Sequence, residues 1–250
     1  QAQGGHVIFG CHKNLLRLLK DCAGIDKTIE MTTKADIKFD TYIPLLSLPG
    51  VFGTKLETIP AKIPYISIGK YHDMSIAPES KKQWRLQIDK NTDFKIGIVW
   101  AGRPTFKDRS RSCSLADFAP LAEIPEISFY SLQKGPASEE VFNPPGGMKI
   151  INLEKELNDF ADTAAVIANL DLVISTDTAV VHLAGAIGKP IWTLLQSSPD
   201  WRWFLNRENS PWYPGMRLFR QTQPNDWKSV FEQVKNGLSN KIATATILQS

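Results

Sequence analysis

Short, β-rich apolar runs alternate with stretches whose apolar residues recur at helical spacing along most of this chain. Residues 6–10 read as a strand and lead into 14–20, where Leu15, Leu16, Leu18 and Leu19 repeat with a helical period before Gly24 stops them. Residues 28–31 and 41–43 read as further short strands, and Pro44, Pro49, Gly50 and Gly53 break the stretch that follows. Between 59 and 78 prolines and glycine recur without a long periodic run, which predicts a linker and a division into residues 1–76 and 77–250. A polar helix is expected at 79–88. The pattern then becomes regular, with strands at 95–100, 128–132, 149–152, 171–175 and 190–194 and helices at 115–122, 159–169 and 178–187. A final amphipathic helix at 226–238 precedes a tail expected to be weakly ordered.

Strands written as near-continuous apolar runs, alternating with helices, predict an α/β fold whose parallel sheet is covered on both faces. Ligands of such sheets lie outside the carboxyl ends of the strands, so the residues just after each strand carry the candidate chemistry.

Composition narrows the function classes. With 29 Lys and Arg against 26 Asp and Glu, the formal net charge is +3, and no broad polybasic surface for nucleic acid is indicated. Cys11, Cys22 and Cys113 lack C-x-x-C spacing and cannot all pair with one another, which fits a reducing, cytoplasmic setting. Four histidines without an H-E-x-x-H pattern give little from which to build a metal site, so no metal ligands are expected. No apolar run approaches the roughly 20 residues of a membrane span, and Gln1 to Gly5 resemble no signal peptide. A first residue other than Met suggests an excised or processed product.

The most pointed local pattern is the apolar strand Asp171-Leu172-Val173-Ile174-Ser175, which stops at Thr176-Asp177-Thr178 before a small-residue helix begins. The first amides of a helix lack partners inside it, and the dipole makes that end positive. With hydroxyls from Ser175, Thr176 and Thr178 alongside, this tip is a candidate diphosphate site. His182 follows Thr178 by four residues on the same helix face, within reach of a phosphate or a sugar hydroxyl. A carboxylate facing phosphate is repulsive, so Asp177 suits capping or hydrogen bonds from sugar hydroxyls. The same residues are also those any helix prefers as an N-cap, and His182 would then be a core histidine. Both roles stay open on the motif alone.

A second cluster, Ala101 to Arg111, sets Arg103, Lys107, Arg109 and Arg111 among glycine and proline breakers after a strand. It reads as a basic loop over an anion, with Lys107 offsetting charge on a leaving diphosphate, or as solvated surface charge. Gln133 and Lys134, after the next strand, are candidates for reading a base or ribose, or form an ordinary polar turn. Trp201, Trp203, Phe204, Trp212 and Tyr213 form an aromatic-rich region that reads as core or a domain interface ahead of a sugar platform.

Ile96-Gly97-Ile98-Val99-Trp100-Ala101-Gly102, Ser131-Leu132-Gln133-Lys134-Gly135, the run from Asp159 to Ala165, Ser175 through Ala186 and Pro199-Asp200-Trp201-Arg202-Trp203 together carry a family resemblance. They resemble the glycosyltransferase module at the end of bacterial tetratricopeptide-repeat proteins. That module is similar to the lipopolysaccharide heptosyltransferases of family 9 and, more distantly, to protein O-GlcNAc transferases. The resemblance implies a GT-B-like architecture of two Rossmann-like domains, with a nucleoside-diphosphate-sugar donor in the second domain and a hydroxyl acceptor, on a glycan, lipid-linked sugar or protein, in the cleft. It implies hexosyl or heptosyl transfer without metal or cofactor, and matches Asp177, Thr178 and Lys107 to donor contacts. Ala179 stands where heptosyltransferases carry glycine. Relatives place a strand, a Gly-Leu-Gly-Asp loop and a helix before the equivalent of Gly4-Gly5-His6, and the general base near them. A truncated N-terminal domain is therefore expected and no base is assigned. The alternative is a catalytically incomplete nucleotide-sugar-binding or scaffold module. A nicotinamide-dependent oxidoreductase is disfavoured, because no G-x-G-x-x-G follows the first strand.

Overall fold

The computed structural model describes residues 4–31, 37–68, 88, 92–103 and 110–249. In chain order, strand β1 (Ile8–Cys11), helix α1 (Lys13–Leu19) and strand β2 (Lys27–Glu30) form a small unit whose strands pair in parallel. His12 caps α1 by accepting from the Asn14 N–H at 3.3 Å. The expected strand at 41–43 does not form. Tyr42 is 78% exposed there, Ile43 runs into Pro44, and no neighbouring strand pairs with the segment. A single helical turn, α2 (Leu48–Val51), follows.

Six strands build the main sheet: β3 (Phe94–Val99), β4 (Ile127–Ser131), β5 (Ile150–Asn152), β6 (Leu172–Thr176), β7 (Ile191–Leu195) and β8 (Met216–Arg220). All pair in parallel, in the order β5-β4-β3-β6-β7-β8. The chain starts at β3, winds outward to β5, then returns to β6 beside β3 and winds the other way. The order therefore reverses between β3 and β6, and a crevice opens there at the carboxyl ends.

Alternation along the strands divides the core. Val99, Val173, Ile191, Leu195 and Leu218 pack against α3 (Phe160–Ala168) and α4 (Ala179–Ala186) on one face. Ile96, Ile98, Leu172, Ile174, Leu194 and Phe219 face the other way, against the 3₁₀ segment Leu115–Glu123 and α5 (Trp227–Gln249). Each side chain switches face at the next residue because the strand period is two. Burial on both faces explains why β4, β6 and β7 read as unbroken apolar runs.

Two expectations change. The segment 115–122 is a 3₁₀ helix, with Pro120 inside it denying the N–H an α-helical ladder needs. The final helix is also longer than the expected 226–238, since α5 continues to Gln249. No helix among the described residues is long and apolar enough to cross a membrane.

The β1–β2 unit is docked on the main sheet through α1 and α3. Leu18 is buried in the same cluster as Val166 and Ile167, with Leu15 and Leu19 packed against it. Arg17 makes a two-pronged contact with Asp159, at 2.7 Å from Nε and 2.5 Å from Nη2, and its Nη2 also donates to Asp162. Asp159, held this way, caps α3 by accepting from Ala161 N and Asp162 N at 2.9 and 3.0 Å. The charge-assisted contacts, Asp159 foremost, hold the Arg17 guanidinium above its ordinary pKa. The expected division at 76/77 falls outside the described residues.

Candidate functional site

A cleft of about 1460 Å³ occupies the crevice at the order reversal. Its floor is the end of β3 with Ala101, Gly102 and Arg103, and the tip of α4 with Asp177, Thr178 and Ala179. Gln133 and Lys134 after β4 close one side, Gln196 to Arg202 after β7 the other, and Asn14 with Asn158 and Asp159 the front.

At the α4 tip, Thr178 is extended (φ −135°, ψ 171°) and its Oγ1 accepts from the Val180 N–H at 3.3 Å. The N–H groups of Thr178 and Ala179 have no hydrogen-bond partner among the described residues. Ala179 is exposed and lines the cleft, so the positive end of the helix presents open donors there. Ser175 and Thr176 are both fully buried. The Ser175 hydroxyl donates to the Thr176 carbonyl at 2.8 Å and lies 3.1 Å from Thr178 Oγ1, supporting the cap from below and not entering the cleft. Thr176 Oγ1 is buried without a partner. Capping and an open tip are thus both present in one motif.

His182, one turn deeper, stacks on the fully buried Trp203 at 5.3 Å between ring centres, 18° apart. Its Nδ1 lies 3.0 Å from the Tyr213 hydroxyl. Burial lowers its pKa from the ordinary histidine value, opposed by the Asp177 charge, so the neutral ring is favoured near pH 7. The aromatic-rich region is therefore split: Trp203 and Tyr213 form the wall behind His182, while Trp201 is 65% exposed at the rim with the Arg202 guanidinium 5.4 Å over its ring.

Of the basic loop, Arg103 and Arg111 line the cleft, and Lys107 and Arg109 lie outside the described residues. Both roots of the loop are fastened. Gly102 N donates to Ser112 Oγ at 3.1 Å, Cys113 N to Trp100 O at 3.0 Å, and Ser110 Oγ to Gln196 Oε1 across the cleft. The Arg111 side chain crosses directly over Gly102, where an added Cβ would come within 3.2 Å of its Nε. Arg202 is paired with Asp200 at 2.6 Å.

Gln133 turns out to be only 3% exposed, with its carboxamide committed. Oε1 accepts from Trp100 N and Ala101 N at 3.1 and 2.9 Å, and Nε2 donates to the Ala101 and Lys134 carbonyls at 2.9 Å each. Both donors and both lone pairs are in use, so the side chain shapes the floor at the end of β3. Lys134 Nζ donates to the Glu154 carbonyl at 2.6 Å on the cleft wall.

Four carboxylates line the cleft. Asp159 is held by Arg17, Asp200 by Arg202, and Glu140 accepts from Leu115 N at 2.7 Å, leaving Asp177 without a hydrogen bond among the described residues. Asn14 and Asn158 gave no site signal in the sequence; Asn14 lies on α1 and reaches the cleft only through the docking of α1 on α3.

Comparison with known proteins bears on the fold and on one stretch of the chain. Across 180 residues the chain is 31% identical to Protein FlbA of Caulobacter vibrioides, covering 67% of this chain and 29% of FlbA. The chain thus spans less than a third of that relative. Among solved structures, the glycosyl transferase family 9 protein of Veillonella parvula matches with a TM-score of 0.50 at 17% identity, over 91% of this chain and 64% of its own. The ADP-heptose lps heptosyltransferase II of E. coli matches with a TM-score of 0.44 at 15% identity, over 66% of this chain and 53% of its own. The Veillonella match supports the same α/β, GT-B-like fold with parallel sheets. Residues 146–212, which hold the α3 cap, the α4 tip, His182 and Trp203, match the model of glycosyltransferase family 9 (heptosyltransferase).

Proposed function

We propose that this chain is the donor-binding part of a glycosyltransferase that moves a sugar from a nucleoside diphosphate to a hydroxyl acceptor. The observation that carries the reading is the α4 tip, whose Thr178 and Ala179 N–H groups have no partner among the described residues and open into the crevice between β3 and β6. A diphosphate bound there would satisfy those amides and the helix dipole together. The match of residues 146–212 to a glycosyltransferase family supports the same site.

In this reading the phosphates sit at the α4 tip, the nucleoside is assigned to the side of Lys134 after β4, and the sugar to the side of Asp177, His182 and the loop after β7, all of which line the cleft. Asp177, repelled by phosphate, accepts hydrogen bonds from sugar hydroxyls. As the glycosidic bond breaks, negative charge grows on the departing diphosphate. Helix amides, Arg103, Arg111 and, from the loop between them, Lys107 and Arg109 neutralise it without a metal ion. The nucleotide sugar is a substrate, and no cofactor is required.

A second reading, nucleotide-sugar binding without turnover, is favoured by one fact. Among the described residues, three of the four cleft carboxylates are already engaged and the fourth, Asp177, is assigned above to the sugar hydroxyls, which leaves none for an acceptor hydroxyl. Release of nucleoside diphosphate from UDP-, GDP- and ADP-sugars, measured with EDTA present, separates the two. Release above the background of a Thr178→Ala variant supports transfer chemistry. Donor binding without release supports the binding module, and release abolished by EDTA contradicts the metal-free mechanism.

A further inference from the structure

Among the described residues His182 makes a single side-chain hydrogen bond, through Nδ1 to the Tyr213 hydroxyl at 3.0 Å, while the residue lines the cleft. Which partner donates follows from chemistry. An imidazole sp² nitrogen is a far better acceptor than a phenol oxygen, and a phenol donates more readily than a neutral imidazole. Burial first, and a side-chain hydrogen bond with Tyr65 second, push the Tyr213 phenol far above its ordinary pKa, so it keeps its one proton. Of its two neighbours the imidazole nitrogen is the better acceptor and takes that proton, while the Tyr65 hydroxyl donates to the Tyr213 oxygen. Tyr213 therefore donates to Nδ1, and the ring proton is forced onto Nε2, the one nitrogen left to serve the cleft.

The fold is built around this contact. The Tyr213 ring lies so close to α4 that a Cβ on Gly185 would stand 2.4 Å from its Cδ1, so only glycine admits the ring one turn below His182. On the opposite side Trp203 stacks on His182 and prevents the ring from tilting away. Tyr65 reaches this corner because its backbone N–H, and that of Ile66, donate to the Ala186 carbonyl at the end of α4, at 3.0 and 3.3 Å. The charged groups that bear on the ring are Asp177 from the α4 tip and Asp200 and Arg202 from the loop after β7.

We infer that Tyr213 is a positioning residue that locks His182 in the Nε2–H tautomer, so that a neutral histidine donates a hydrogen bond to an anionic oxygen in the cleft. The use of that donor toward a diphosphate rests on the function proposed above. The tautomer itself does not. A neutral donor suits the place, since it serves an oxyanion without adding a charge that Arg202 and burial both oppose.

The test uses the whole chain labelled with ¹⁵N-histidine, with the His182 resonances assigned by their loss in His182→Asn. In the wild type, long-range ¹H–¹⁵N spectra at pH 7 to 8 should show a bare Nδ1 and a protonated Nε2. In Tyr213→Phe, which keeps the ring, the two tautomers should mix, and affinity for the best-bound of UDP, GDP and ADP should fall about tenfold, the loss of one hydrogen bond to a charged group. A wild-type ring protonated on Nδ1 overturns the inference, as does a Tyr213→Phe protein with unchanged tautomer and unchanged affinity. If the wild type binds none of the three nucleotides while the tautomer is as stated, the positioning role stands and the donor-site reading fails.

Discussion

At the scale of single residues, two side chains at α4 carry most of the argument. Thr178 links cap and site, since its Oγ1 accepts from Val180 N and meets Ser175 Oγ. Thr178→Ala should cost about 1 kcal/mol in denaturant unfolding, and Thr178→Ser should recover most of it, because serine caps as well. Equal losses in both would mean that the methyl group, and not the hydroxyl, matters. His182 gives a pH signature. Its folded pKa lies below the unfolded value of about 6.5, so its contribution is complete above that pH and is lost as pH falls toward and through the lowered value. Wild type should lose stability relative to His182→Asn as pH falls below about 6.5; parallel stability curves would show that burial does not disfavour the charged ring. At this scale the sequence was only partly legible. The cap at Thr178 is written locally. Gln133 reads as a base or ribose contact or a polar turn, yet its carboxamide is largely taken up by the backbone of Trp100 and Ala101 just past β3, which no local pattern encodes.

At the scale of elements, the strands of the main sheet were legible because burial on both faces leaves an uninterrupted apolar signature. Strand β8 was not, since Arg217 and Arg220 interrupt it; as an edge strand it keeps Arg217 exposed, with the guanidinium 4.6 Å over Phe219. The helix expected at 115–122 was misread in type because periodicity cannot weigh the missing N–H of Pro120. Close packing between elements was equally hidden. Gly185 looks like one more small residue of α4, but it accepts the Tyr213 ring. Gly185→Ala should destabilise the protein by roughly 1–3 kcal/mol, because the contact is to a buried ring and not to a flexible chain end. Gly97→Ala should cost less: the atoms it meets, Leu170 Cδ1 at 2.6 Å and Leu132 Cδ1 at 2.9 Å, are side-chain ends that can rotate. The reverse order in thermal or denaturant unfolding would contradict this account of the α4 wall.

At the scale of the molecule, the cleft depends on docking the β1–β2 unit against α3, which brings Asn14 beside Asn158 and Asp159. Arg17 fixes that docking through Asp159 and the buried Asp162, though its own side chain is 42% exposed. Arg17→Ala should therefore cost on the order of 1 kcal/mol, less than breaking a fully buried pair. A double-mutant cycle with Asp162→Asn should show coupling between the two positions, and additive losses would show that the pair does not hold the unit in place.

The proposed diphosphate site rests on the order reversal between β3 and β6, the open amides at the α4 tip and the cationic loop roots. Calorimetric titration with UDP, GDP and ADP, each against its monophosphate, tests that site most directly. The account predicts one-site binding of at least one diphosphate, at least tenfold tighter than its monophosphate and weakened in both Thr178→Ala and Lys107→Ala. Binding that ignores the second phosphate, or that survives unchanged in both variants, would contradict it.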